Sequence, residues 1–298
     1  MTATIYRRRE DASRSFTIER AREPSAMRSM LSEDRAYAAY ALAQLDPARF
    51  HLSEWLVASS VDGQSALVVH STGGLGRALF AQGDPGAVDA ILSLHPGARF
   101  CFGSLRPQHR SVLEKYFFIT RPQIMTRMTV TPETFTPAAG EAHRLTGRHV
   151  ADVNRLYSTD GGPTAYHRSH LEEGVYYGVR ADGRLAAIAG THVVSHAEGV
   201  AVVGNVFTHA RYRNRGLATI ATSAVTAELL DTCRLVVLTV ESDNGPALNV
   251  YRRLGYQPHC TLHESPLVRK EPLGALSLAR RLVAAWRGRS EGKKVVVL

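Results

Sequence analysis

The residues best suited to chemistry form a short basic segment that contains one glycine. It runs from Arg213 to Ala218 (R-N-R-G-L-A) and lies between a predicted strand and a predicted long helix. The first amide hydrogens of a helix have no intrahelical partner, and a helix amino end carries about half a unit of positive charge. Gly216 lets a ligand approach the backbone closely, and Arg213 and Arg215 add cations that suit phosphate. The segment is therefore a candidate pyrophosphate site, although a surface turn would show the same residue types.

A second motif follows about thirty residues later. It runs from Asn244 to Tyr256 and reads N-x-x-A-x-x-x-Y-x-x-L-G-Y, after an apolar strand that ends at Val240. Together the two motifs resemble the GNAT superfamily of acyl-CoA-dependent N-acyltransferases. In that family a strand, an R/Q-x-x-G-x-G/A loop and its helix precede a strand and the motif N-x-x-A-x-x-x-Y-x-x-L-G-F/Y. The resemblance covers about residues 140–265.

The resemblance implies a site for acetyl-CoA and, at its reactive end, a proton donor. The cofactor-binding residues that it implies are Val206, Phe207 and Thr208 on the strand, Arg213, Asn214, Arg215, Gly216, Leu217, Ala218 and Thr219 at the loop and first helical turn, and Asn244 and Ala247 in the second motif. Tyr251 matches the tyrosine proposed to protonate the departing thiolate. A phenol with a pKa of about 10 can pass a proton to a sulfur whose thiol has a pKa of about 8.5. A core aromatic that packs its helix on the sheet is the alternative.

Glycine inside an apolar strand is unfavourable unless a bulge or a close contact requires it. Gly204 and Asn205 interrupt the predicted strand from Val200 to Thr208. The family has a bulge in the matching strand, which separates two neighbouring strands and frees a backbone N–H to polarise the thioester carbonyl. Plain tolerance of glycine is the alternative.

The proton acceptor is the least defined part of the predicted site. Many family members have an acid on the bulged strand, where this chain has Asn205, and some have one on the next strand, where it has Thr239. The predicted catalytic residues are Tyr251, Asn205 and Glu241. Glu241, His192 and Glu173 are the candidate bases, each with a structural role as its alternative. The pair H-x-x-H at positions 167 and 170 lacks a third ligand, so no metal site is predicted.

The basic residues are concentrated at the ends of the chain. The formal net charge is +9; residues 1–30 hold seven arginines and four acids, and residues 266–298 hold eight basic and two acidic residues, which leaves 31–265 neutral. A nucleic-acid-binding body would have its own basic excess, so this function is disfavoured. Three cysteines without C-x-x-C spacing fit a reducing cytoplasm, and no apolar run is long enough to span a bilayer.

The order of predicted elements occurs twice along the chain. Each half reads helix, three strands, helix, strand, helix, strand, which predicts an α/β (α+β) fold of two GNAT-like halves, each a mixed, mainly antiparallel sheet flanked by helices. The predicted organisation is a mobile basic arm over 1–30, a degenerate GNAT-like domain over 31–131, a catalytic domain over 140–265 and a basic tail over 266–298.

Several local predictions accompany this division. Helices are predicted from Glu33 to Leu45 and from Glu141 to Tyr157, a loop at 160–163, and extended chain from Tyr256. The first half lacks R-x-x-G-x-A at the matching junction, where Asp84 would repel a pyrophosphate, so this half is predicted to have lost the cofactor. The basic amphipathic segment 273–287 suits a membrane surface or a partner, or packing on its own protein, or a frayed end.

The predicted function is acetyl transfer from acetyl-CoA to a primary amine by direct attack in a ternary complex. The acceptor class is a small amine or an amino-acid-like molecule, with a protein amine also open, and the chain is expected to be a monomer or homodimer. A non-catalytic acyl-CoA sensor or structural module is the first alternative, and a basic-tail nucleic-acid binder the second.

Overall fold

The structure of the 298-residue chain is a computed structural model. It describes residues 3–7, 15–72, 76–160, 165–271 and 274–290. These fall into two compact units: the first comprises Met1–Arg35, Gln44–Ile124 and Thr261–Leu298, and the second comprises Ala36–Ala43 and Met125–Cys260. Most of the loop predicted at 160–163 lies outside the described residues.

Strands and helices alternate along most of the chain. The strands are β1 (Ala3–Arg7), β2 (Ser15–Arg20), β3 (Ser53–Ser60), β4 (Ser65–Ser71), β5 (Ala78–Gly83), β6 (Phe100–Leu105), β7 (Phe117–Ile119), β8 (Gln123–Val130), β9 (His143–Arg144), β10 (Tyr177–Ala181), β11 (Arg184–Ser195), β12 (Val200–Thr208), β13 (Leu235–Glu241) and β14 (Gln257–Arg269). The helices are α1 (Pro24–Ser32), α2 (Ala39–Ala43), α3 (Pro47–Phe50), α4 (Pro85–Leu94), α5 (Arg110–Tyr116), α6 (Val150–Ser158), α7 (Arg168–Glu173), α8 (Leu217–Leu230), α9 (Gly245–Arg253) and α10 (Ala275–Ser290).

In the first unit the strand order is β1-β2-β3-β4-β5-β6-β14, and β7 also pairs with β14. All these neighbours are antiparallel except β5 and β6, which run parallel. Helix α4 packs on this sheet because its apolar residues, such as Val88 and Ile91, share a core with Leu56, Val68 and Leu79. The buried apolar surface holds helix and sheet together.

In the second unit the strand order is β9-β10-β11-β12-β13-β8. Here too the neighbours are antiparallel except one pair, β12 and β13. Helix α8 buries Val225 and Leu229 in a core with Val203 and Val236. Each unit is thus a mixed, mainly antiparallel sheet flanked by helices, which confirms the predicted fold class.

The units are not the two halves of the sequence: the chain passes from one to the other after Ile124 and after Cys260, whereas the predicted boundaries lie at 131 and 265. Strand β8 pairs with β13 inside the second unit, and the 263–268 part of β14 pairs with β6 inside the first unit. Residues 36–43 also belong to the second unit, where Ala39 and Ala43 pack against Val202 and Val237. Each sheet therefore receives an antiparallel strand that the sequence order would give to the other half.

Part of the segment predicted to be a mobile arm is ordered. Strand β2 pairs with β3, and α1 buries Met27 and Leu31 completely. This correction has a physical reason: α1 starts at Pro24, a residue preorganised for a first helical turn, and its apolar residues are four apart.

Two predicted helices are shorter than expected. Within 33–45 only α2 is α-helical, and within 141–157 the helix is α6, preceded by β9 and a short 3-10 turn. A capping box between Thr146 and His149 begins the 3-10 turn that precedes α6. The helix therefore does not extend back to residue 141.

The carboxyl-terminal segment forms helix α10 with its small residues inward. Ser277, Ala284 and Ala285 are buried, whereas the larger Leu282 and Trp286 are exposed, Trp286 at 71%. The side chains of Leu282 and Trp286 therefore do not pack closely on the described part of the chain. Among the described residues, no helix is long and apolar enough to cross a bilayer.

Gly255, just after α9, occupies a position where a larger residue would clash. Its φ is +86°, and a Cβ there would lie 1.8 Å from the carbonyl oxygen of Thr134. We expect Gly255→Ala to lower the free energy of unfolding by at least about 2 kcal/mol, because left-handed backbone strain and a backbone clash add. Denaturant titration measures this loss. Gly183→Ala is the matched control, because Gly183 also has positive φ (+73°) but nothing within 4 Å of its Cβ position. Equal losses in both variants would contradict the clash.

Candidate functional site

The parallel strands β12 and β13 separate before they end. Their pairing runs from Val200 opposite Leu235 to Val203 opposite Leu238, yet β12 continues to Thr208. Because the strands are parallel, their carboxyl ends lie at one edge of the sheet, where the chain continues into the turn before α8 and into α9. The second half of β12 thus offers backbone hydrogen-bonding groups on its β13 side.

The bulge predicted at Gly204 and Asn205 is present. Against β11, Phe207 pairs with Ile188 and Gly204 with Gly190, so β12 holds one extra residue between these pairs. Asn205 takes a left-handed conformation with φ +54°. Gly204 is needed for a close approach, since a Cβ there would lie 2.3 Å from Nε2 of His192.

The side chain of Asn205 is held by hydrogen bonds next to the bulge. Its Nδ2 donates to the hydroxyl of Tyr176 (3.1 Å) and to the carbonyl of Thr191 (3.2 Å). The hydroxyl of Tyr157 donates to the backbone carbonyl of Asn205 at 2.6 Å. Burial raises the pKa of Tyr157, so this phenol remains a donor. These bonds fix the bulge, and a neutral amide so engaged cannot accept a proton.

His192, one of the candidate bases, lies on β11 next to the bulge. Its Nδ1 is 2.6 Å from the hydroxyl of Tyr40, a residue from α2. Burial lowers the pKa of His192 more than its hydrogen bond to Asn205 raises it, so the imidazole is neutral near pH 7. Sequence reasoning missed Tyr40, because 152 residues separate it from His192.

An aromatic cluster adjoins the bulged strand. Tyr157 stacks on Tyr166 with ring centroids 5.0 Å apart and lies 5.2 Å from Phe207. Tyr166 contacts Tyr176 edge-on at 6.3 Å. Phe207 was predicted as a cofactor-strand residue, and its ring belongs to this cluster. The three tyrosines were not identified from the sequence, since no periodicity connects a helix end, a loop and a strand start.

The turn before α8 exposes a continuous run of amide hydrogens. Asn214 and Gly216 have φ of +63° and +75°, and the first helical bond runs from the N–H of Ile220 to the carbonyl of Gly216. The N–H groups of residues 214–219 have no hydrogen-bond partner among the described residues. A Cβ at Gly216 would meet nothing within 4 Å, so the space over the turn is open. Such an arrangement suits an anion.

The two arginines of the turn have different environments. Arg213 donates from Nη2 to Asp160 (2.6 Å) and from Nε to the carbonyl of Thr208 (3.2 Å), so its guanidinium is tied to the loop after α6. Arg215 lies 5.5 Å over the ring of Tyr212 and has no acidic partner in the described part of the chain. No motif or periodicity in the sequence pointed to Asp160.

Tyr251 lies on α9 and is 8% exposed. It belongs to the same core cluster as Val206, Leu217 and Ala247, so the structure brings together the strand, the turn and the second motif. Its hydroxyl has no hydrogen bond to a described residue, and burial raises its pKa to about 12. The side chain is therefore a core aromatic with a protonated hydroxyl available to a ligand.

Asn244 and Glu241 occupy the connection between β13 and α9. The Asn244 side chain caps α9 by accepting from the N–H of Ala247 at 3.1 Å, so that amide is already bonded. Glu241 ends β13 and is exposed. Glu173 is the last residue of α7. Among the described residues, neither His167 and His170 nor any other side chains form a group of three that could hold a metal ion.

At the equivalent junction of the first unit, a side chain already caps the amino end of the helix. Asp84 caps α4 by accepting from the N–H of Ala87 at 2.9 Å. This carboxylate occupies a position where an anion would otherwise bind and would repel one electrostatically. The first unit therefore has the strand and helix arrangement without the anion-binding turn.

Comparison with known proteins places this site in a family. The model of the acetyltransferase (GNAT) family matches residues 147–256, which span α6 to α9 and both motifs. Residues 147–256 are a GNAT domain. No curated protein matches the chain.

Solved structures share the fold at low identity. A GNAT-family acetyltransferase from Novosphingobium aromaticivorans is 23% identical, with 68% of this chain and 89% of that chain covered, at a TM-score of 0.51. A GCN5-related N-acetyltransferase from Sphaerobacter thermophilus is 14% identical, covering 85% and 95%, with a TM-score of 0.52. A Drosophila protein is 12% identical, covering 86% and 98%, with a TM-score of 0.57. The last two alignments extend well beyond the GNAT domain into the first half.

Proposed function

We propose that the protein transfers an acetyl group from acetyl-CoA to a primary amine by direct attack in a ternary complex. One observation carries the proposal: the bulged, separating end of β12 leads directly into a turn with six unbonded amide hydrogens. A strand edge and an anion-binding turn in series match a ligand with an amide-containing arm and a diphosphate.

The described residues fit acetyl-CoA along its length. The amides of residues 214–219 and the guanidinium of Arg215 would bind the diphosphate, and Arg213 would join them by exchanging Asp160 for phosphate. The backbone groups of Val206 and the N–H of Thr208, on the β13 side of β12, would pair with the pantetheine arm. Asn244, whose Oδ1 caps α9, keeps its Nδ2 for the cofactor.

The chemical step follows from the groups at the strand end. The amine nitrogen attacks the thioester carbon, and a backbone N–H at the Asn205 bulge stabilises the oxyanion that forms. Collapse of this intermediate breaks the carbon–sulfur bond, and the Tyr251 hydroxyl protonates the departing thiolate. We assign acceptance of the amine proton to the carboxylate of Glu241, which lies at the same sheet edge and is exposed. Asn205 acts by positioning, because its neutral amide accepts no proton and its Nδ2 already donates to Tyr176 and Thr191.

A non-catalytic acyl-CoA sensor needs the turn but not a proton donor. The Tyr251 hydroxyl has no partner among the described residues and stays protonated, which favours turnover, since a sensor needs no proton donor. The three cysteines are free thiols, which supports a cytoplasmic setting.

The test is direct. Purified protein is incubated with acetyl-CoA and a panel of amino acids, small amines and peptides with free amino termini, and mass spectrometry identifies products one acetyl group heavier. We expect at least one acetylated amine and stoichiometric release of CoA thiol. Calorimetric binding of acetyl-CoA with no acetylated amine would support the sensor instead. Absence of any binding would overturn the whole proposal.

A further inference from the structure

The first unit contains a cavity of about 910 Å³ away from its degenerate cofactor position. The cavity lies at the carboxyl end of α4 and the start of β5, and α10 forms one of its walls. Asp84, which marks the equivalent of the cofactor turn, is at the opposite end of α4. The volume is typical of small-molecule sites. A ligand here would thus occupy a site with no counterpart in the proposed reaction.

The cavity is strongly cationic. Its charged lining residues are five arginines and a single acid: Arg20, Arg22, Arg77, Arg269, Arg281 and Glu54. Arg20 forms an ion pair with Glu54, which leaves a net positive lining. Arg22 and Arg77 are exposed and have no acidic partner among the described residues.

Structural roles account for only part of this charge. The segment after α4 lines the cavity with His95, Pro96 and Gly97, and its carbonyl groups need donors. Arg269 donates to the carbonyl of Gly97 (2.6 Å), and His70 contacts the carbonyl of His95 at 2.9 Å. The carbonyl groups of His95 and Gly97 are thus hydrogen-bonded, so they neither attract the remaining arginines nor repel an anion strongly. Arg22 and Arg77 are not needed for these hydrogen bonds.

Like charges around one cavity destabilise each other in the absence of a counter-charge. The pKa of His95 responds in part to these charges. Its pKa is lowered to about 4, chiefly by burial, with Glu54 opposing and the charges of Arg281 and Arg20 adding to the depression. The imidazole is therefore neutral and can serve as a hydrogen-bond partner beside the arginines.

We propose that this cavity binds a small multivalent anion, an organic molecule bearing phosphate or carboxylate groups. Arginine guanidinium groups recognise both anions through paired N–H donors. Trp55 and Phe50, stacked with centroids 5.4 Å apart, provide an apolar wall for the remainder of the molecule. Glu54 limits affinity, because it neutralises Arg20.

Calorimetry with the full chain tests the site, with inorganic pyrophosphate and citrate as separate probes and acetyl-CoA present at saturation. We expect one or both to bind, with the stronger probe identifying the phosphate or carboxylate class. Arg22→Gln with Arg77→Gln is expected to weaken binding at least tenfold. Both side chains are exposed, so the variant should fold. Glu54→Gln is expected to tighten binding severalfold, because it frees Arg20.

Arg110→Gln is the matched control, since Arg110 is an exposed arginine paired with Glu114 outside the cavity, and it should leave binding unchanged. No binding of either probe would overturn the proposal. Binding that survives the double substitution but disappears in Gly216→Ala would also overturn it, by assigning the anion to the turn before α8. This titration is separate from the acetyl-transfer assay. If neither probe binds, the proposed acetyl transfer still stands, and if no amine is acetylated, the anion site still stands.

Discussion

Replacement of Gly216 by alanine is expected to raise the Kd for acetyl-CoA at least about 100-fold, or roughly 2.8 kcal/mol. Gly216 has φ +75°, a conformation that costs an L-residue about 1–2 kcal/mol. Relief of that strain would turn the neighbouring amides away from a common direction, and the added Cβ would project into the open space above the turn. Isothermal calorimetry measures the change.

The control separates ligand binding from backbone strain. Gly183, in the hairpin between β10 and β11, has φ +73° and equally open space. Gly183→Ala should lower the unfolding free energy by a similar amount while leaving the Kd unchanged. If Gly216→Ala bound acetyl-CoA with wild-type affinity, the turn would not be the diphosphate site.

Removal of the Tyr251 hydroxyl is expected to lower kcat by about 10²- to 10³-fold with little change in the KM for acetyl-CoA. The hydroxyl serves a charge that develops only as the thiolate leaves, so its loss affects the transition state rather than binding. Steady-state kinetics of Tyr251→Phe on the best amine measures the split.

The pH dependence has a defined sign. Burial raises the pKa of Tyr251 to about 12, so the neutral, proton-donating form persists through ordinary alkaline pH. Wild-type kcat should therefore show no decline attributable to Tyr251 between about pH 7 and 10.

Tyr256→Phe is the control for this prediction. The Tyr256 ring lies 6.0 Å from that of Tyr251, but its hydroxyl bonds Thr226 at 2.8 Å. Its loss should cost about 1 kcal/mol of stability and leave kcat unchanged. Equal kinetic losses in both variants would point to packing, not proton transfer.

Local structure was predictable wherever a few adjacent residues determine the backbone. Asp182-Gly183 is a dipeptide that favours a two-residue hairpin, and both residues have positive φ; Asp84, directly before Pro85, is a favourable helix cap and caps α4. The Gly204–Asn205 bulge was recognisable because glycine is poorly tolerated in a paired strand. These features depend on local sterics and hydrogen bonds.

The sequence alone determined the GNAT motifs, their order and the fold class, because turn chemistry and hydrophobic periodicity act over a few residues. Only the tertiary structure decided that β8 and β14 join the sheets they do, since either strand presents an antiparallel edge acceptable to both. It also decided that Tyr40 and Tyr157 support the bulge, that Asp160 engages Arg213, and that arginines distant in sequence surround one cavity. Such contacts join residues that no local pattern connects.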